Sequence, residues 1–330
     1  VRNPSRTAAT AAALMIGLAL VTFVSVLGAG LIGTARSDVE DQISATYVVT
    51  AADGYGPVST DAGRRLTSAL PGSVVSSVRE DRARVAGEAV AVDGVDPSTI
   101  ARTYRFTWTA GGPASLAALD GDGAVVARTF ADDHGLTVAS RMAMVSPSGG
   151  RSALTVTGVY DPPRLSPVLA PVLISQDAFD AAIPRAKDRY TFVSGAPGGE
   201  RALSAHPDTR VATAGGYAGI ATSELSTILN MLYVLLGLSV IISVFGMVNT
   251  LVLAVHERTR EVGMLRAVGM TRRQVRAMVR GESVITALIG AAIGIPFGIG
   301  LAAMATRAMS EWGVGLVIPS TLVWFVGVAI

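Results

Sequence analysis

The side chains able to do covalent or metal chemistry are few and scattered. The chain has 330 residues and no cysteine, which excludes thiolate catalysis, Cys-ligated zinc and iron–sulfur clusters. Its three histidines are His134, His206 and His256, and none lies in an H-E-x-x-H run. Asp132-Asp133-His134 brings metal-type ligands together once. A metal site needs several convergent groups, and a polar turn ahead of Gly135 accounts for the triplet as well. No G-x-S-x-G elbow occurs. Ser146-Pro147-Ser148-Gly149-Gly150 reads as a hairpin turn, not a phosphate cradle. The only lysine is Lys187, and no Gly-Lys pair exists, so the P-loop that holds β- and γ-phosphates is absent. No catalytic, metal-binding or cofactor-binding residue is assigned. Nucleotide hydrolysis, if it drives this protein, belongs to another chain.

The elements that position the remaining residues follow from where charge is missing. Of 52 charged residues, 38 fall within 36–224. Four runs carry no charge: 29 residues at 7–35, 31 at 225–255, 24 at 283–306 and 18 at 313–330. A hydrocarbon layer about 30 Å thick needs roughly 20 helical residues to span it. The first three runs reach that length. The fourth barely does, and is expected to be a helix cut at the chain's end. A cleaved signal peptide is the other reading of the first run, but its apolar stretch exceeds the usual 7–15 residues.

Charge orients the spans. Residues 256–282 hold seven arginines and three glutamates, a net of +4, whereas 36–224 hold 17 basic and 21 acidic residues, a net of −4. Short basic loops stay in the cytoplasm. This places the N-terminus and 256–282 inside, with 36–224 and the short link 307–312 outside. The outer segment alternates apolar and polar residues between Gly and Pro. Strands are expected at 47–50, 73–78, 89–92, 124–127, 154–159 and 168–174, and helices at 61–70 and 176–183. Pro162, Pro163, Pro167 and Pro171 mark a bend or an edge. The expected fold is an α-helical transmembrane bundle of four helices, the last truncated, with a mixed α/β extracytoplasmic domain.

The basic loop is the most informative segment. Residues 257–268 keep helical spacing, with Val262, Leu265 and Met264/Val268 as the apolar set. Gly269 is placed to end that helix. Thr271 and Gln274 then fit a capping box, and Val275, Met278 and Val279 lead toward the next span. Such a loop sets topology and touches anionic lipid. Its apolar residues between arginines equally suit docking into a groove of a soluble partner.

The run Glu257-Arg-Thr-Arg-Glu-Val-Gly-Met-Leu-Arg-Ala-Val-Gly-Met-Thr-Arg-Arg-Gln-Val resembles the signature of FtsX-like permeases, the membrane subunits of MacB/LolC-type ABC transporters. The start, Arg2-Asn-Pro-Ser-Arg-Thr, resembles that of a permease repeat in actinobacterial members, so the chain would be a fragment or second repeat. The resemblance is strong at 1–34 and 256–300 and weak between them. It implies a MacB-like extracytoplasmic domain and a contact with a separate ATPase subunit, which binds the ATP, through Glu257, Arg258, Glu261, Leu265, Arg266, Gly269 and Arg273. It also implies a second permease copy or repeat as partner. Membrane lipid and an extracytoplasmic protein are further expected partners; nucleic acid is not. The substrate class is open among lipid, lipoprotein, peptide and drug-like molecules. A mechanotransmitter that regulates a cell-wall hydrolase, or a membrane-anchored sensor without an ATPase, would carry the same parts.

Within the spans, Asn230 and Asn249 are candidates for interhelical hydrogen bonds, worth about 1 kcal/mol. Gly290, Gly294 and Gly298 form a small-residue row that suits close helix contact, within the chain or at a dimer seam. Pro296 is placed to kink that helix.

Overall fold

The computed structural model describes residues 4–54, 56–184, 187–196, 198–257 and 259–319. Two compact units are present, one from 1–34 with 224–330 and one from 35–223.

In chain order, helix α1 is Pro4–Gln42, strand β1 Tyr47–Ala51, α2 Thr60–Ala69, β2 Val74–Val85 and β3 Glu88–Val95. Then come α3 Ile100–Thr103, β4 Trp108–Ala110, α4 Ala114–Ala117, β5 Gly123–Ala127, α5 Arg128–His134, β6 Arg141–Val145 and β7 Arg151–Tyr160. The second half has β8 Val172–Ser175, α6 Gln176–Ala182, β9 Asp188–Ser194, α7 Gly199–Ala202, β10 Thr209–Thr213 and α8 Ala214–Ala221. Three helices end the described chain: α9 Ser223–Glu257, α10 Thr259–Ala267 and α11 Arg272–Ala308.

The unit over 35–223 is built on one mixed sheet in the order β10-β1-β9-β2-β3-β8-β5-β7-β4, with β6 bridging β2 and β7. β3 runs parallel to β8, and β5 parallel to β7; the other pairs are antiparallel. β5 and β8 are buried at every position, as their unbroken apolar runs require of strands covered on both faces. Helix α2 is amphipathic: Ser59 caps it through the Asp61 N–H at 3.3 Å, and Ala62, Leu66 and Leu70 point into a core with Val49, Val58 and Val193. The 146–150 turn joins β6 to β7 as a hairpin, pairing Val145 with Arg151.

The segment expected as a strand at 168–174 is a strand only from Val172. Proline has no N–H to give a ladder, so Pro167 and Pro171 keep the preceding residues out of the sheet. Residues 161–171 instead form a strap between β7 and β8.

The other unit holds helices long and apolar enough to cross a membrane. Among the described residues there are three such stretches, Leu14–Gln42, Ser223–Gly246 and Arg272–Ala308. The expected count of four helices is therefore corrected to three among the described residues. After a short 3-10 turn at Ser310–Trp312, Gly313 takes a left-handed φ of +70° and ends the helical path. Residues 313–319 are not helical. Gly313, Gly315 and Pro319 oppose helix there, since Pro also restrains the residue before it. Residues 320–330 of the expected fourth span lie outside the described residues. The third span also begins earlier than its uncharged run, because α11 continues from Arg272 through Pro296 to Ala308 without a break.

Candidate functional site

The loop joining α9 to α11 is a helical elbow. Val268 N–H donates to the Met264 carbonyl at 3.0 Å, and Gly269 then takes φ +110°, a conformation that costs any residue with a Cβ. Thr271 Oγ1 accepts from the Gln274 N–H at 3.3 Å. Gln274 Oε1 accepts from the Thr271 N–H at 2.8 Å. The capping box is thus complete, satisfying donors that the start of α11 would leave unpaired. Around the elbow Arg260, Arg272, Arg273 and Arg276 are exposed, and Val268 and Met264 are 89% and 66% exposed. Of the residues assigned to a partner contact, Gly269 and Arg273 lie at this turn and are exposed. Arg258, and the side chains of Glu257, Glu261, Leu265 and Arg266, lie outside the described residues.

The glycine row on α11 faces α1. A Cβ at Gly294 would stand 2.6 Å from the Met15 carbonyl oxygen, and one at Gly298 would stand 2.5 Å from that of Ala19. Gly290 is buried on the same helix. Above and below these points Leu14 and Leu18 pack on Ala287 and Ala291, and Val26 packs on Ala302. Small residues let the two backbones touch where no water is displaced to drive association. Helix α9 meets α1 near Gly28, where Leu229 is buried. Most of its large apolar side chains, from Ile228 to Leu253, are exposed, as are Asn230 and Asn249.

The potential ligands of the 35–223 unit do not converge: no group of three or more His, Asp or Glu side chains able to hold a metal occurs among the described residues. Asp132-Asp133-His134 is the last turn of α5, ended by Gly135 at φ +62°. His134 Nδ1 bonds the Phe130 carbonyl at 3.0 Å, and its ring packs on Phe130 at 4.3 Å. His256 Nδ1 bonds the Val252 carbonyl at 3.2 Å.

A buried polar cluster that sequence reasoning missed holds the strap. Gln42 is 4% exposed. Its Nε2 donates to the Asp38 and Ser166 carbonyls at 2.7 and 2.8 Å. Its Oε1 accepts from Tyr104 Oη at 2.9 Å and from the Val168 N–H at 3.0 Å. Tyr190 Oη donates to the Val168 carbonyl, and Tyr160 Oη to that of Ala170 at 2.8 Å. Asp93 Oδ2 accepts from the Ala170 N–H at 2.8 Å. Complete burial pushes the Asp93 carboxyl well above the ordinary Asp range; the Ala170 N–H pulls it down, Glu80 adds to the rise, and Arg189 opposes it. The one legible signal was a carboxylate in an otherwise apolar strand, Ala91-Val92-Asp93-Gly94-Val95. Its partner, the Ala170 N–H, lies 77 residues away along the chain, out of reach of any local pattern. A second buried pair anchors the sheet. Arg79 bonds Asp180 and, at 3.4 Å, Asp188.

The chain thus combines three helices long and apolar enough to cross a membrane with a mixed α/β unit that lies, in sequence, between the first and the second of them. The chain matches the MacB-like periplasmic core domain over residues 7–212 and the FtsX-like permease C-terminal model over 233–330. It belongs to the family that joins a MacB-like periplasmic core domain to an FtsX-like permease C-terminal region. It is 34% identical over 106 residues to the uncharacterized ABC transporter permease YknZ of Bacillus subtilis (strain 168), covering 32% of this chain and 24% of that protein. It is 28% identical over 90 residues to the macrolide export ATP-binding/permease protein MacB of Bdellovibrio bacteriovorus, covering 27% of this chain and 14% of that one. The matches thus span a quarter or less of these relatives' lengths. Among solved structures, the extracellular domain of the noncanonic ABC-type transporter YknZ from Gram-positive bacteria aligns with a TM-score of 0.35 at 9% identity, over 51% of this chain and 99% of that one.

Proposed function

We propose that this chain is the membrane-spanning lever of an ABC transporter, moved by an ATPase partner that seats on the α10–α11 elbow. One observation carries the reading: Met264 and Val268 stand in the open between exposed arginines, on a turn fixed by Gly269 and the Thr271–Gln274 box. Apolar side chains ringed by guanidinium groups suit the groove of a soluble protein. The net charge of +4 over 256–282 favours the cytoplasmic side for the elbow and the N-terminal flank, and the opposite side for 36–224. These residues hold no Gly-Lys pair, which supports an ATP site outside them. The outer unit then meets its substrate outside the membrane, to export or extract a lipid, lipoprotein, peptide or drug-like molecule. A second permease copy or repeat completes the assembly.

The test is co-purification with a nucleotide-binding protein expressed from a neighbouring reading frame. Val268→Asp combined with Met264→Asp is expected to abolish it while the protein stays in the membrane. Recovery at the wild-type yield overturns the docking assignment. The chain's lack of cysteine also permits single-cysteine labelling at position 273, and reaction only from outside the cell overturns the orientation.

A further inference from the structure

The strap that Gln42, Tyr190 and Asp93 hold is one wall of a cavity of about 370 Å³ within the 35–223 unit. The strap contributes residues 165–171 to it, Val39 lines it from α1, and Tyr217 and Ala221 from α8. Two charged side chains lie in this wall, Glu80 of β2 and Arg189 of β9, among Ser166, Tyr190, Tyr217 and apolar residues. They meet through a single contact, Arg189 Nη1 to Glu80 Oε1 at 3.1 Å, with the Arg189 side chain 40% exposed. The remaining N–H groups of Arg189 have no hydrogen-bond partner among the described residues.

We propose that this cavity binds a small zwitterion with a short apolar body: an ammonium beside Glu80, an acidic group on the free edge of the Arg189 guanidinium, and a few methylenes against Val39, Leu165 and Val168. Three physical points carry it. The wall is preformed, because backbone groups of the strap are pinned from behind by buried side chains, so little ordering cost falls on the ligand. The two wall charges sum to zero, so a zwitterion satisfies both, whereas a ligand of one sign leaves the opposite wall charge desolvated and unpaired. The volume is near the low end of the roughly 300–1,000 Å³ of ligand sites, which suits a lipid headgroup or a dipeptide and not a large macrocycle. The inference goes beyond the transport reading and needs no nucleotide or ATPase.

The experiment uses the full chain in a maltoside detergent, with Ala221→Cys at the cavity edge as the single reactive thiol. Maleimide labelling is timed with dihexanoyl phosphatidylethanolamine, with the zwitterionic dipeptide Ala-Leu, and with dihexanoyl phosphatidylglycerol as an anion of similar bulk. Either zwitterion is expected to slow labelling at least about fivefold. Protection by the lipid alone assigns a headgroup, and protection by the dipeptide alone assigns a peptide. The protection is expected to disappear in Glu80→Leu/Arg189→Leu, an exchange of an ion pair for apolar groups that folds tolerate. If that variant does not fold, Leu165→Trp, which fills the cavity without touching a charge, is expected to remove protection instead. No protection by either zwitterion, equal protection by phosphatidylglycerol, or protection that survives the variants overturns the proposal.

Discussion

Replacing Gly298 by leucine should separate α1 from α11 and cost the membrane unit about 1–3 kcal/mol, the usual range for overpacking. An added Cβ at Gly298 would lie 2.5 Å from the Ala19 carbonyl oxygen and 2.7 Å from Thr22 Cβ, where ordinary contact begins at 3.4 Å. The nearest atom is backbone, so no rotamer change removes the clash. The helices must part by about 0.9 Å (3.4 − 2.5) for the first carbon alone. A gap of that size forfeits a quarter to a half of each dispersion contact along the seam, where Leu18, Val26, Ala291 and Ala302 now touch. Lipid offers no hydrophobic drive to compensate, because packing itself holds spans together. Gly300 is the control: it sits two residues away, is exposed, and a Cβ added there would meet nothing within 4 Å. Reversible unfolding in mixed detergent micelles should show Gly298→Leu destabilised, with Gly298→Ala intermediate and Gly300→Leu near wild type. Thr22→Ala should not rescue Gly298→Leu, since the closest obstacle is the Ala19 oxygen. Equal stability of the 298 and 300 variants would refute the reasoning.

Three further outcomes are expected. Thr271→Ala removes the cap of α11 and should cost about 1 kcal/mol locally, read as roughly fivefold faster hydrogen exchange in the first turn after residue 271. Arg79→Met leaves Asp188, 1% exposed, without its cation and should destabilise the 35–223 unit by about 3–5 kcal/mol at neutral pH, with a smaller loss in acid, where protonation relieves the buried carboxylate; thermal unfolding across pH checks it. Asp93, whose carboxyl burial pushes well above the ordinary Asp range, binds its proton more tightly folded than unfolded. Its contribution is therefore intact below the unfolded value, about 3.9, and is lost as pH rises toward the folded one. Asp93→Asn should flatten that fall in stability, and an unchanged pH slope would contradict the assignment.

What could be read from the sequence was decided by short-range physics. A run of 31 uncharged residues at 225–255 has one favourable solvent, and the structure carries a helix through it from Ser223 to Glu257. The Thr271–Gln274 box closes within four residues, so its chemistry appears in the bare string and again in the hydrogen bonds. Ala62, Leu66 and Leu70 share a helical face by spacing alone, and that face is buried. Strands with less regular alternation escaped notice, among them β9 at Asp188–Ser194, which lies between β1 and β2 in the sheet. The first residues of the expected fourth span, 313–319, are not helical, because an uncharged stretch reports solvent preference and not backbone conformation, and Gly313 turns the chain at once.

Tertiary structure alone settled the rest. The glycine row on α11 announces a close approach without naming the neighbour; the backbone oxygens of Met15 and Ala19 supply it. The prolines of 162–171 announce a departure from the sheet, but the strap's place depends on Gln42, 124 residues earlier, and Asp93, 77 residues earlier. Hydrogen bonds of that separation leave no periodicity behind. They exist because burial makes an unpaired amide or carboxyl expensive, and only the folded chain decides which distant groups share the same dry space.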